Sequence, residues 1–228
     1  MNNISGEGLY RKEFEHDACG IGFVASMKGI KSHRIVQDSL TMLIRMDHRG
    51  ACGCDPNSGD GAGVLLQIPH EFFLEESRKL GFSLPAPGHY GVGMIFFPKN
   101  ESLIKECKEV IERKAKKLNL RLIGYREVPV DNGDIQGADS GHAEPSIQQL
   151  FIERPDTCST EIEFERKLYI FRQYVTRLLN ETLPSLEDKF YFTSLSCRTI
   201  IYKGMLTTMQ VPGYFKDLQE ENFTSALA

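Results

Sequence analysis

Apolar residues recur along the chain at two spacings, one typical of strands and the other typical of helices. Alternating apolar positions, or short apolar runs bounded by turn residues, predict strands. The segments with this pattern are residues 21–25, 64–68, 90–97, 120–128, 149–153, 190–195 and 198–203. Apolar residues three and four apart predict helices after Ser32, near residues 71–80, after Asn100 and after Thr160.

Three of these helices begin at a residue that can accept a hydrogen bond from the first helical turn. Ser32 and Asn100 are both good N-caps. Thr160 is followed three residues later by Glu163, which is a capping-box pattern. The helix that follows Thr160 presents one continuous apolar face, formed by Phe164, Leu168, Phe171, Val175 and Leu178.

Two glycine-rich and aspartate-rich stretches, residues 51–63 and 131–146, have no periodicity and are predicted to be loops. Predicted strands occur in neighbouring pairs as well as between helices, as at residues 190–195 and 198–203. A purely parallel sheet is therefore disfavoured, and the chain is predicted to be an α+β protein.

Composition narrows the class of protein. A length of 228 residues allows one large domain or two small ones, and 41% hydrophobic residues are enough for a sizeable core. The net charge is −4, which disfavours a nucleic-acid partner. No apolar run approaches the roughly 20 residues needed to span a bilayer, and residues 1–15 lack the apolar stretch of a signal peptide. We therefore expect no membrane partner and a cytoplasmic protein.

The cysteines are too sparse for a disulfide-stapled fold and are expected to be mostly free thiols. They occupy positions 19, 52, 54, 107, 158 and 197. Cys52 and Cys54 form the only close pair, and no second pair lies at ligand spacing, so no metal site is predicted.

The segment HDACGIGF at residues 16–23 places Cys19 at the start of a predicted strand, with two small residues after it. Gly20 and Gly22 let other backbone approach the sulfur. A cysteine is more often a buried small apolar residue than a nucleophile, so this segment needs support from the rest of the chain.

Three further stretches give that support, namely HRGA at residues 48–51, SGDGAG at 58–63 and SLSCRTIIYKGM at 194–205. In this order and at these separations, the four segments resemble the N-terminal glutaminase domain of the glutamate synthase large chain. That domain is a class II glutamine amidotransferase of the N-terminal-nucleophile hydrolase superfamily. The resemblance runs from about Cys19 to the end of the chain.

The resemblance implies a four-layer αββα sandwich. It also implies a division at Cys19, with residues 1–18 as a leader that is removed and residues 19–228 as a partial amidotransferase domain. Cys19 would be both thiol nucleophile and, through its freed α-amine, the base. While Ala18 remains bonded to that nitrogen, it is an amide that cannot accept the proton. Residues 1–18 could equally be an ordinary disordered terminus that is not removed.

The same resemblance assigns supporting residues. Gly20 shapes the site next to the nucleophile, and Arg49 and Gly50 lie on the loop that packs against it, where a backbone carbonyl meets the α-amine. Arg49 is expected to have a structural role there. His48 is expected to pack in the loop rather than serve as a base. The glycine run at residues 59–63 precedes a strand, so a tight turn is favoured over a phosphate cradle.

The implied substrate is L-glutamine, and ammonia is the product passed on. In the family, ammonia reaches a synthase portion that uses FMN and an iron–sulfur cluster, sometimes with an electron-donating small subunit. No cofactor site is expected in residues 1–228.

The family's glutamine-carboxylate arginine and oxyanion Asn-Gly pair have no match here, because Asn132-Gly133 lies in the long loop. We therefore expect a domain incomplete at its C-terminus, weak or inactive alone, with open sheet edges that favour a homo-oligomer or aggregation. The alternatives are another class II amidotransferase or a non-catalytic scaffold with the same fold.

Overall fold

The computed structural model describes residues 19–49, 59, 61–133, 144–183, 186 and 189–228. Within them, helices and strands follow one another in a mixed order. The elements are α1 (His33–Arg45), β1 (Ala62–Gln67), α2 (His70–Lys79), β2 (Tyr90–Phe97), α3 (Glu101–Lys117), β3 (Arg121–Glu127), β4 (Ser146–Glu153), α4 (Glu161–Thr182), β5 (Tyr191–Ser196), β6 (Thr199–Gly204) and α5 (Val211–Tyr214). Short 3₁₀ turns lie at Asp47–Arg49 and Lys216–Gln219.

The strands form two antiparallel sheets. One has four strands in the order β3-β4-β2-β5, and the other pairs β1 with β6. The prediction of an α+β protein without a purely parallel sheet is confirmed. Strand β4 begins three residues earlier than predicted, because Ser146 already pairs with Phe97 at the end of β2.

The predicted strand at residues 21–25 is wrong for most of its length. Only Ala25 forms a β-bridge there, with Leu227. A strand needs a partner for its backbone N–H and C=O groups. The C-terminal segment supplies one for Val24 and Ser26, whose amides donate to Ala228 and Ala226 at 2.9 and 2.8 Å.

The four-stranded sheet is apolar on both faces, as the alternation of side chains along a strand requires. On one face, Ile95 and Phe97 of β2 pack with α3 and α4. On the other, Val92 and Met94 belong to a second cluster that includes α1, α2, β1 and β6. Gly91 faces α4, where an added Cβ would lie 2.6 Å from Leu168 Cδ1. This glycine therefore serves close helix packing.

Strands β5 and β6 are neighbours in sequence, yet they belong to different sheets. The turn between them is held by α4, whose Glu165 carboxylate accepts hydrogen bonds from the Ser196 hydroxyl (2.7 Å) and the Cys197 amide (2.6 Å). Arg198 donates to Glu161 at 3.0 Å. The SLSCR sequence thus forms the crossing point between the two sheets.

A buried hydrogen-bond network also spans the two sheets. Arg126 of β3 donates to both carboxylate oxygens of Asp217 at 2.8 Å and to Gln149 of β4 at 2.9 Å. Tyr202 of β6 donates to Asp217 at 2.7 Å and accepts from Gln149 at 2.8 Å. Glu76 of α2 accepts from Arg126 at 2.9 Å. We call Arg126, Gln149, Tyr202 and Asp217 the inter-sheet network.

The predicted caps have different outcomes. Asn100 accepts a hydrogen bond from Leu103 N at 3.1 Å, and both halves of the Thr160–Glu163 capping box are present. Ser32 precedes α1 but makes no side-chain cap. Its backbone instead pairs with Ser225, donating at 3.0 Å.

Because Thr160 caps α4, the longest of the described helices, Thr160→Ala is expected to lower the free energy of unfolding by about 1 kcal/mol. The adjacent exposed Ser159 contributes its backbone amide, not its hydroxyl, to Glu163. Ser159→Ala should therefore change stability by less than about 0.5 kcal/mol. Urea denaturation of both variants measures the difference, and equal losses would show that the cap is not a stabilising contact.

Candidate active site around Cys19

Cys19 is the first residue that the structure describes, and it is exposed, as is Gly20. The chain that follows is held at two places. Val24 exchanges backbone hydrogen bonds with Ala228, each 2.9 Å long. Gly22 lies against Met42 of α1, and a Cβ added at Gly22 would be 2.6 Å from the Met42 sulfur. A larger residue at position 22 would displace the Met42 side chain, so the glycine allows the Cys19 segment to run close to α1.

Helix α1 leads into the loop of Arg49 and Gly50, which the family resemblance implies packs against the nucleophile. The 3₁₀ turn Asp47–Arg49 follows α1 after Met46. Asp47 accepts a hydrogen bond from the Thr208 hydroxyl at 2.5 Å, which joins this turn to the segment after β6. His48 is exposed, and its Nδ1 lies 3.1 Å from the Arg45 carbonyl oxygen. Gly50 lies outside the described residues, so its site-shaping role and that of Arg49 stay predictions.

The glycine run at residues 59–63 contacts the segment after β6, which also contains Thr208, the partner of Asp47. An added Cβ at Gly59 would lie 2.2 Å from the Leu206 carbonyl oxygen, so only glycine fits there. Gly61 has φ +130, a conformation that residues with a side chain rarely adopt. These positions favour the predicted turn rather than a phosphate cradle, although most of residues 51–60 lie outside the described part of the chain.

The other described cysteines differ from Cys19 in burial. Cys107, Cys158 and Cys197 are buried free thiols. Burial, with the charge of Glu106, raises the pKa of Cys107 to about 11. Burial, with the hydrogen bond and charge of Glu165, raises the pKa of Cys197 to about 12. Among the cysteines that the structure describes, Cys19 alone is exposed; Cys52 and Cys54 lie outside that set.

Large apolar side chains are exposed in the segment after Cys19 and in the segment after β6. Ile21 is 94% exposed and Phe23 is 78% exposed, two and four residues after Cys19. Met205 and Met209 are exposed in the segment that contacts Asp47. Exposed apolar side chains therefore accompany the candidate nucleophile in its own segment, at Ile21 and Phe23.

Within the described residues, no group of three or more His, Cys, Asp or Glu side chains is arranged to hold a metal ion. None of the described helices is long and apolar enough to cross a membrane.

Comparison with protein families matches residues 19–228 to the glutamine amidotransferases of class II. The match covers nearly the whole chain. The chain belongs to this family. The matched region begins at Cys19, the residue that the sequence identified as the candidate nucleophile.

Members of this class II amidotransferase family with similar sequences are glutamate synthases. The chain is 44% identical over 223 residues to the large chain of glutamate synthase [NADPH] from Bacillus subtilis and 43% identical over 232 residues to glutamate synthase [NADH] from Saccharomyces cerevisiae. It is 41% identical over 214 residues to ferredoxin-dependent glutamate synthase 1 from Arabidopsis thaliana. These alignments cover 97%, 97% and 94% of this chain but only 14%, 10% and 13% of the relatives.

The resemblance to the glutaminase domain of glutamate synthase is therefore confirmed, and with it membership of an enzyme family. Sequence reasoning missed the contacts that hold the site region in place. Gly22 and Met42 are 20 residues apart, and Asp47 and Thr208 are 161 apart. A glycine pattern can signal close packing, but nothing in the chain order identifies the partner of Asp47.

Proposed function

We propose that this domain carries the nucleophile, Cys19, for hydrolysis of the side-chain amide of L-glutamine, and that the domain alone is weak or inactive in turnover. The observation that carries the proposal is the exposed Cys19 at the first residue of the family match. The thiolate attacks the amide carbon, the C–N bond breaks and ammonia leaves, and water then hydrolyses the γ-glutamyl thioester. The free α-amine of Cys19 takes the thiol proton and returns it to the leaving nitrogen.

This chemistry requires that residues 1–18 be removed as a leader, because only then does Cys19 have a free α-amine. The domain would then comprise residues 19–228, with Gly20, Arg49 and Gly50 shaping the site. The two packed sheets, with α3 and α4 outside one and α1 against β1, support the N-terminal-nucleophile type of αββα sandwich as its architecture.

By analogy with the relatives, the ammonia would serve glutamate synthesis. We propose the cytoplasm as the compartment. A synthase portion, with FMN and an iron–sulfur cluster, would consume it. The electron source differs among the relatives, whose names specify NADPH, NADH or ferredoxin. The described residues contribute to the glutaminase step of this scheme.

The proposal is tested with two matched forms of the domain, one beginning at Cys19 and one that retains Ala18. Both have the same thiol, but only the first has an α-amine on Cys19. Reaction with a glutamine analogue that carries an electrophilic carbon should be about 100-fold faster in the first form, the scale typical of a positioned base. Intact mass with N-terminal sequencing of the whole chain shows whether the cut occurs. Equal rates in the two forms would overturn the role of the α-amine.

A further inference from the structure

Residues 223–228, which we call segment 223–228, hold the chain that follows Cys19. The amides of Val24 and Ser26 donate to carbonyl oxygens of this segment at 2.9 and 2.8 Å, and the Val24 carbonyl accepts a hydrogen bond in return at 2.9 Å. Cys19 is five residues before Val24 and is itself exposed. The place of the candidate nucleophile therefore depends on where segment 223–228 lies.

Two polar side chains join segment 223–228 to the end of β1. Ser225 is fully buried, and its hydroxyl accepts a hydrogen bond from the Gln67 amide at 3.0 Å and donates one to the Leu227 carbonyl oxygen. The Gln67 side chain in turn accepts a hydrogen bond from the Ala226 amide at 3.1 Å. Each side chain thus bonds to the backbone of the other segment. Because a buried hydroxyl that loses its partners is costly, the pair fixes the register of the segment against β1.

The hydrophobic core holds the other end of segment 223–228. Phe223 is fully buried, and its ring centroid lies 5.1 Å from that of Phe72 and 5.6 Å from that of Tyr202. Losing the two side-chain contacts with β1 therefore leaves the segment attached at Phe223. The residues after Phe223, which bond to the chain that follows Cys19, lose their support. The effect of such a loss is local rather than global.

We propose that Ser225 and Gln67 are positioning residues for Cys19, acting through the backbone pairing between segment 223–228 and residues 24–26. A displacement of about 1 Å can slow an oriented reaction about 100-fold, so a fixed register favours attack on a bound substrate carbon. Register matters little for a small reagent, which can approach the exposed thiol from many directions. The inference rests on the proposed function, because it takes Cys19 as the nucleophile.

The test compares two reaction rates at Cys19 in the whole chain, one with the electrophilic glutamine analogue and one with iodoacetamide. Ser225→Ala is expected to lower the ratio of the first rate to the second at least about tenfold. Ser77→Ala is the matched control and should keep the ratio, because it removes an equally buried hydroxyl that bonds within α2. Gln67→Met should act like Ser225→Ala, whereas Gln67→Glu retains the acceptor oxygen and should keep the ratio. Peptide mass mapping assigns each adduct, and intact mass checks that all variants have the same N-terminus.

Amide hydrogen exchange measures the backbone pairing without using the thiol. Ser225→Ala should speed exchange at Val24 and Ser26 at least about tenfold more than exchange in α4, whereas Ser77→Ala should not. Exchange that rises equally in both places overturns the link through segment 223–228.

The labelling experiment separates this inference from the proposed function. If the glutamine analogue does not react with Cys19 of the parent chain, the proposed function is overturned, and this inference with it. If the parent chain reacts and the ratio is unchanged in Ser225→Ala and Gln67→Met, only the positioning role is overturned.

Discussion

Replacing Cys19 by alanine is expected to slow the covalent reaction of this domain with an electrophilic glutamine analogue by at least about 1,000-fold. The reason is that Cys19 is exposed at the start of the family match, whereas the other described thiols are buried. A buried thiol is reactive only as the thiolate. With pKa values raised to about 11 and about 12, Cys107 and Cys197 are thiolates in only about one molecule in 10³ and 10⁴ at pH 8.

The matched control for this prediction is Cys197→Ala, which removes a buried thiol and should leave the rate of adduct formation unchanged. Peptide mass mapping identifies the modified residue, which matters because Cys52 and Cys54 lie outside the described residues. An adduct that forms at the original rate in Cys19→Ala would assign the nucleophile to another cysteine. Labelling of Cys107 and Cys197 should be slow at pH 8 and become faster as the pH rises, because burial raises the pKa of both thiols.

The substitution Asp217→Ala is expected to lower the free energy of unfolding by about 3–5 kcal/mol. Asp217 is 1% exposed and receives two hydrogen bonds from Arg126 and one from Tyr202. Burial, and then the charge of Asp217, raises the pKa of Tyr202 well above its usual range, so its hydroxyl stays neutral and donates. Removing the carboxylate leaves a buried guanidinium with Glu76 as its remaining anionic partner.

A neighbouring ion pair provides the control. Asp131 pairs with Lys216 at 3.4 Å, but both side chains are more than half exposed. Asp131→Ala should therefore change stability little, since exposed pairs are screened by solvent. Asp217→Asn, which keeps the size and loses the charge, should give an intermediate loss. Thermal and urea unfolding measure all three variants, and equal stability of Asp217→Ala and the parent chain would show that the inter-sheet network does not stabilise the fold.

Local sequence patterns predicted most elements, because their causes lie within a few residues. Strand β2 was predicted at its observed limits, since its apolar run ends at Pro98. The capping box at Thr160 and the cap at Asn100 were also predicted, because each cap bonds to a backbone group three residues away. The ordered motifs identified the family, which the comparison over residues 19–228 confirmed.

Other features depend on contacts between distant parts of the chain. The strand predicted at residues 21–25 was wrong for most of its length, because a strand forms only where another segment supplies hydrogen-bonding partners, and only Ala25 forms a bridge there, with Leu227. Strands β5 and β6 are adjacent in sequence and were predicted as a neighbouring pair, yet they belong to different sheets. Glu165 of α4 accepts hydrogen bonds from the turn at which the chain passes from one sheet to the other.

The sequence by itself determined most of the elements, the family and the candidate nucleophile Cys19, since these depend on local periodicity, short-range caps and ordered motifs. Only the tertiary structure decided which strands pair, that Arg126 and Asp217 meet across 91 residues, and which thiols are buried. Burial and pairing are properties of the packed chain, because they arise when segments far apart in sequence exclude water from the same place.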